Sequence, residues 1–262
     1  MDDVITFQLA GLEVVMLAGV RIAAFLVIAP PFAHRAIPGT VKAMIAGWLG
    51  LLALPRALAS GGPRVGTAIA SGTAGFLADV GLQVLVGAGL GFLVALVFSA
   101  VQSAGNMIDL FGGFQLAQAF DPMSMSNGAQ FTRLYQMTAI VLLFTSGGYQ
   151  LVIAGLMRTF DALPLGTPLD LAAMGQAAAE GFADMFLAAL QIAGPLIAVL
   201  FLADLGLGLL TRVAPALNAF ALGFPLKILL TILLGVSAYV ALPQIVESLT
   251  GDALTRMLEV AR

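Results

Sequence analysis

FLADVGLQVLVGAGLGFLVALVFSAV, Phe76 to Val101, is long, clean and apolar. A helix needs about 20 such residues to cross hydrocarbon, and this run exceeds that length without a break. The rest of the chain is of the same kind. Of 262 residues, 60% are hydrophobic and 10% charged, with a mean hydropathy of +1.04. A soluble domain carries about 25% charged residues, so a water-facing surface cannot be built from this composition. The class expected is an all-α membrane protein, one membrane domain over residues 1–262.

The net charge of −3 is spread out and forms no basic patch, which argues against nucleic acid as a partner. Cysteine is absent, so disulfides and thiol-ligated metals are excluded, and the single histidine, His34, cannot make a metal cluster. The N-terminal MDDVITFQLAGLEVV has acids where a secretory signal needs positive charge, and is read as retained.

Six apolar runs are candidate spans: Leu12–Ile28, Val41–Leu54, Phe76–Val101, Leu134–Met157, Phe182–Leu205 and Phe224–Leu242. Loop cations should then set orientation. Arg35, Lys42, Arg133, Arg212 and Lys227 fall on one side; Arg56, Arg64, Arg158, Arg256 and Arg262 fall on the other. The even split gives no orientation. Either the span count is wrong or the helices are not simple bilayer spans.

Within the runs, Gly87 and Gly91 form a G-x-x-x-G pair that would let another backbone approach closely, against the alternative of ordinary glycine enrichment. Gly206 and Gly208 suggest a helix end or bend, and Pro195 a kink. Glu180 and Asp184, four apart, read as acids near a helix start, where the dipole favours them. Arg21, set in LAGV and IAAFLVIA, should snorkel to the membrane edge or pair with an acid, and Lys227 can do the same. Asp204 is expected to meet Arg212 if the glycines between them bend the chain, or else to sit in water.

No catalytic machinery presents itself. There is no phosphate-binding G-x-x-x-x-G-K-[S/T], no H-E-x-x-H and no G-x-S-x-G. An enzyme is disfavoured, and no cofactor or metal is expected.

The unusual stretch is GNMIDLFGGFQLAQAFDPMSMSNG, Gly105 to Gly128. It holds two charges, Asp109 and Asp121; Asp121-Pro122 forces extended or turning backbone, and Gly112-Gly113 permits geometries closed to other residues. Phe111, Phe114 and Phe120 give it a soft apolar surface. Irregular backbone at membrane depth survives only when covered by protein or lining a cavity. The stretch therefore reads as a re-entrant element or the closure of a conduit, with a packed inter-helix linker as the other possibility.

Three ordered motifs resemble one family: RIAAFLVIAPPFAHRAIPGTVKAMIA from Arg21, with its Pro38; GLGFLVALVFSAVQSAGNMIDLFGGFQLAQAFDP from Gly89; and LGLLTRVAPALNAFALGFPLKI from Leu207, containing Pro215, Phe224, Pro225 and Lys227. The chain looks like the FliR/SctT family of flagellar and virulence type III export-gate membrane proteins. The resemblance implies helices folded into hairpins and one copy assembled with five P-type and four Q-type subunits. It further implies the B- and A-type export-gate proteins, lipid and unfolded export substrates as partners, at the flagellar basal body of the bacterial inner membrane. Under it, residues 105–128 contain the channel plug, with Asp109, Phe111, Gly112, Gly113, Phe114, Phe120, Asp121 and Pro122 as gating residues. Arg21, Pro38, Gly87, Gly91, Asp204, Arg212, Pro215, Phe224, Pro225 and Lys227 serve assembly and packing. Relatives often carry Asn where Asp204 stands, and an acid where Asn106 stands. Physics alone would keep a small-molecule or ion transporter as the alternative, since broken helices also build midplane binding sites.

Overall fold

The computed structural model describes residues 2–60, 72–115, 129–214 and 219–260. Among them every regular element is a helix: α1 Asp2–Ile28, α2 Gly39–Ala59, α3 Gly72–Phe111, α4 Gln130–Thr145, α5 Gly148–Ala162, α6 Leu171–Val213 and α7 Ala219–Val260. Four stretches, Gly11–Ile28, Gly39–Ala59, Gly72–Phe111 and Leu171–Val213, are long and apolar enough to cross a membrane.

The fourth and sixth runs are not the straight spans expected. Leu134–Met157 is divided between α4 and α5, with a 74° bend at the break. The cause is Gly147, whose φ of +74° is left-handed and ends one helix before the next begins. Leu142 O accepts from Thr145 Oγ1, and Gly148 N donates to Ser146 Oγ, so the break is locally satisfied. The sixth run lies in α7, which bends by 50° between Ala221–Val236 and Ala238–Val260.

Helix starts also differ from expectation. α6 begins at Leu171, capped by Asp170, whose Oδ1 accepts from Ala172 N at 2.9 Å and Ala173 N at 3.1 Å. Glu180 and Asp184 are therefore helix-interior residues, and Glu180 accepts from Gln176 Nε2 one turn earlier. Gly206 and Gly208 do not end α6, which continues to Val213; a Cβ at either would meet nothing within 4 Å. α6 also runs through Pro195 and α7 through Pro225. Pro38 stands just before α2, and its carbonyl accepts from Val41 N and Lys42 N.

Two compact units are present, 1–97 with 146–181 and 249–262, and 98–145 with 182–248. In the first, Ile22, Phe25 and Leu26 of α1, Leu90, Leu93 and Val94 of α3, and Leu156 and Phe160 of α5 are buried. Glycine makes the closest contacts. A Cβ on Gly87 would run into the Arg21 carbonyl, and one on Gly91 would stand 3.0 Å from Phe25 O and 3.2 Å from Ile28 Cβ. Gly87 and Gly91, four apart, thus turn one face of α3 onto the α1 backbone, while Gly89 meets Met174. Gly81, on the same helix, has open space around it.

That contrast makes a prediction. Gly to Ala in a helix gains up to about 1 kcal/mol in propensity, and Gly81→Ala should keep that gain. At Gly87 the same methyl strikes main chain, which cannot swing away, so Gly87→Ala should lose about 1–3 kcal/mol by overpacking. Thermal unfolding of the chain in its assembled complex decides it. Equal effects at the two positions would mean that α1 and α3 do not meet here.

Candidate functional site

The expected internal loop begins as helix. Gly105 to Phe111 are the last turns of α3, and the backbone leaves the helix at Gly112. Gly113, at φ +83°, supplies the left-handed residue that closes the end. Its N–H donates to Leu110 O at 3.4 Å, and Phe114 N to Asp109 O at 3.0 Å. This is the paired hydrogen bonding that terminates a helix through a left-handed glycine. The two glycines, read from sequence as opening unusual backbone geometries, are thus a built helix terminus. Gln115 Nε2 then reaches back to Asn106 Oδ1 at 2.9 Å.

Asp109 anchors this terminus. Its carboxylate is fully buried and accepts three hydrogen bonds from the start of α4: Phe131 N to Oδ1 at 2.9 Å, Thr132 N to Oδ2 at 2.8 Å and Thr132 Oγ1 to Oδ2 at 2.8 Å. The first amides of a helix have no partner inside it. Here an acid on another helix supplies one, and its negative charge meets the positive end of the α4 dipole. Gly105, one turn earlier on α3, makes room, since a Cβ there would lie 2.7 Å from Thr132 Cα and 2.8 Å from Phe131 O.

The same end of α3 is set against α7. A Cβ on Gly112 would stand 2.7 Å from Thr231 Oγ1, and one on Gly113 3.3 Å from the Phe224 ring. Phe224, Lys227 and Thr231 recur at helical spacing along α7, and Thr231 Oγ1 donates to Lys227 O at 2.7 Å. Phe114 packs edge-on against Phe131 at 5.3 Å between centroids, and Phe131 against Tyr135 at 6.3 Å. Gly105, Asp109, Gly112, Gly113 and Phe114 are therefore brought together with α4 and α7. Phe111 faces outward. Phe120, Asp121, Pro122 and Pro215 lie outside the described residues.

Asp204 does not meet Arg212. Its Oδ1 pairs with Lys227 Nζ at 2.7 Å, and Arg212 is exposed. The physical reason is that α6 runs unbroken to Val213 and keeps Arg212 eight residues along the helix from Asp204, whereas the Lys227 ammonium on α7 reaches the carboxylate directly. Lys227 thus takes one of the two routes expected for it, an acidic partner. Arg21 does not snorkel. It is fully buried, donates from Nε to Gln83 Oε1 at 2.7 Å and from Nη1 to Leu163 O at 2.9 Å, and lies 4.5 Å over the Phe160 ring. Leu163 closes the C-terminus of α5, so the guanidinium meets the negative end of that helix.

Sequence reading missed both Asp109 as a cap and Gly113 as a helix terminator. The glycine carried a usable signal, a Gly-Gly pair directly after an apolar helix. His34 closes a local turn, accepting from Ala36 N at Nδ1. Among the described residues no group of three or more His, Cys, Asp or Glu is placed to hold a metal ion.

Long apolar helices, two bent pairs, the buried charges of Arg21 and Asp109 set at helix ends and a wide apolar exterior define an all-helical membrane component. The exterior includes Trp48 on α2, Phe182 and Phe201 on α6, and Leu233 and Val240 on α7. The family described as "Bacterial export proteins, family 1" matches residues 12–253. The flagellar biosynthetic protein FliR of Escherichia coli (strain K12) is 35% identical over 223 residues, 85% of this chain and 81% of that one. FliR of Bacillus subtilis (strain 168) is 28% identical over 216 residues, 81% of each chain. The Yop proteins translocation protein T of Yersinia pestis is 30% identical over 156 residues, 56% of this chain and 58% of that one. The chain belongs to this family, the FliR/SctT export-gate membrane proteins.

Proposed function

We propose that this chain is the single-copy core subunit of a flagellar type III export gate in the bacterial inner membrane. In this reading it joins five P-type and four Q-type subunits, docks with the B- and A-type export-gate proteins at the basal body, and forms the channel for unfolded flagellar proteins. The segment that leaves α3 at Gly112 closes that channel at rest. Alignment with flagellar relatives over most of the chain supports flagellar rather than virulence export. The role in the channel is supported by one observation above all. A buried carboxylate, Asp109, fixes the end of α3 to the start of α4, so the described residues on either side of the segment are tied to each other. The wide apolar faces of α6 and α7 suit partner subunits and lipid.

Secretion is the test. Removing the coding sequence should abolish export of flagellar filament protein to the medium, and restoring the chain should recover it. A strain that still exports filament protein but loses uptake or efflux of a small solute would establish the transporter instead.

A further inference from the structure

A guanidinium has five N–H donors and no acceptor. For Arg21, Nε is taken by Gln83 Oε1 at 2.7 Å, and Nη1 by Leu163 O at 2.9 Å with Thr159 O at 3.5 Å. Nη2 makes no hydrogen bond, and neither does Nε2 of Gln83; both side chains are fully buried. Nε and Nη2 share one edge of the guanidinium, the edge that a carboxylate fills with its two oxygens. Here the edge meets an amide, which has only one oxygen. The amide's orientation is forced, because Nε requires an acceptor, so Oε1 faces Arg21 and Nε2 is turned alongside as a second donor. One amide oxygen thus serves one donor of that edge, and each of the two side chains, on different helices, keeps a buried N–H group beside this bond without a protein acceptor. Buried polar groups in proteins are almost always satisfied, by protein or by ordered water.

We propose that Arg21 Nη2 and Gln83 Nε2 form the binding site of a single structural water, which accepts from both. Its two lone pairs match two donors, and buried waters commonly make about three hydrogen bonds. Asp79 lies four residues before Gln83 on the same face of α3 and is also buried. A carboxylate on that face disfavours a halide, the other small acceptor, and favours a molecule that can also donate. The water joins α1 to α3 beside the end of α5 and supplies the acceptor that these two N–H donors lack.

The test is a density map of the assembled membrane complex at a resolution that shows ordered water. A peak at about 2.7–3.2 Å from both Arg21 Nη2 and Gln83 Nε2 is expected. In Gln83→Glu the second carboxylate oxygen takes Nη2 and the Nε2 donor is gone, so the peak should disappear while assembly persists. A wild-type map with no peak there overturns the proposal. So does a peak that strengthens when bromide replaces chloride, or one that stays in place in Gln83→Glu. If that variant fails to assemble, the wild-type map in the two halides decides alone.

Discussion

Asp109→Ala is expected to expose the amides of Phe131 and Thr132 to solvent exchange and to cost about 2–4 kcal/mol of stability. Three hydrogen bonds to one buried carboxylate are lost together. The side chain they leave behind is smaller than the space it occupied, and the start of α4 has no other cap at those atoms. Burial sharpens the effect, since water cannot easily replace the missing acceptor. Asp109→Asn should fall between, because its amide keeps one acceptor but turns a donor toward a donor. Hydrogen exchange along residues 129–135 reads the local change, and thermal unfolding the global one. Unchanged protection at Phe131 and Thr132 in Asp109→Ala would show that α4 starts without help from α3.

The second large effect concerns closure. Deleting residues 116–120 should raise small-ion leakage through the assembled complex several-fold while leaving its composition unchanged. The cut spares Gly112, Gly113 and Phe114, which are seated against Thr231, Phe224 and Phe131, and it spares Asp109. The anchors on each side therefore survive, and a change in conductance reports on the segment rather than on a disordered helix end. A closure has to exclude ions and still yield, and soft apolar side chains on a short tether meet both needs better than a charged rigid helix. Conductance of the complex in a planar bilayer, wild type against deletion, measures it. An intact complex with unchanged conductance would mean that the segment is packing between helices.

Much of this architecture is legible in hydropathy, because each long run is a property of neighbouring residues. Phe76–Val101 lies inside α3, and Phe182–Leu205 inside α6. The division of the fourth run was hidden for the same reason. Gly147 and Gly148 are two residues in an apolar stretch, and averaging over a span erases them, although a left-handed glycine is enough to turn the chain. Polar pairing was less legible still. Asp204 was matched to the cation on its own helix, whereas its partner Lys227 stands on α7. The cap of α4 comes from Asp109, twenty-two positions before Phe131, while sequence rules look for a cap immediately before the helix. Arg21 looked anomalous because its partners, an amide and a helix-end carbonyl, carry no charge to search for.

The chain is expected to work only as one member of a mixed membrane assembly. Phe182, Phe201, Leu202, Leu229, Ile232 and Leu233 are large apolar residues left exposed among the described residues. The direct measurement is the native mass of the chain after co-expression with P- and Q-type subunits, beside the chain expressed alone. One copy of this chain in a discrete complex with five P-type and four Q-type subunits, and aggregation or degradation of the chain alone, is the result expected. A stable monomer in detergent that captures neither partner would contradict it.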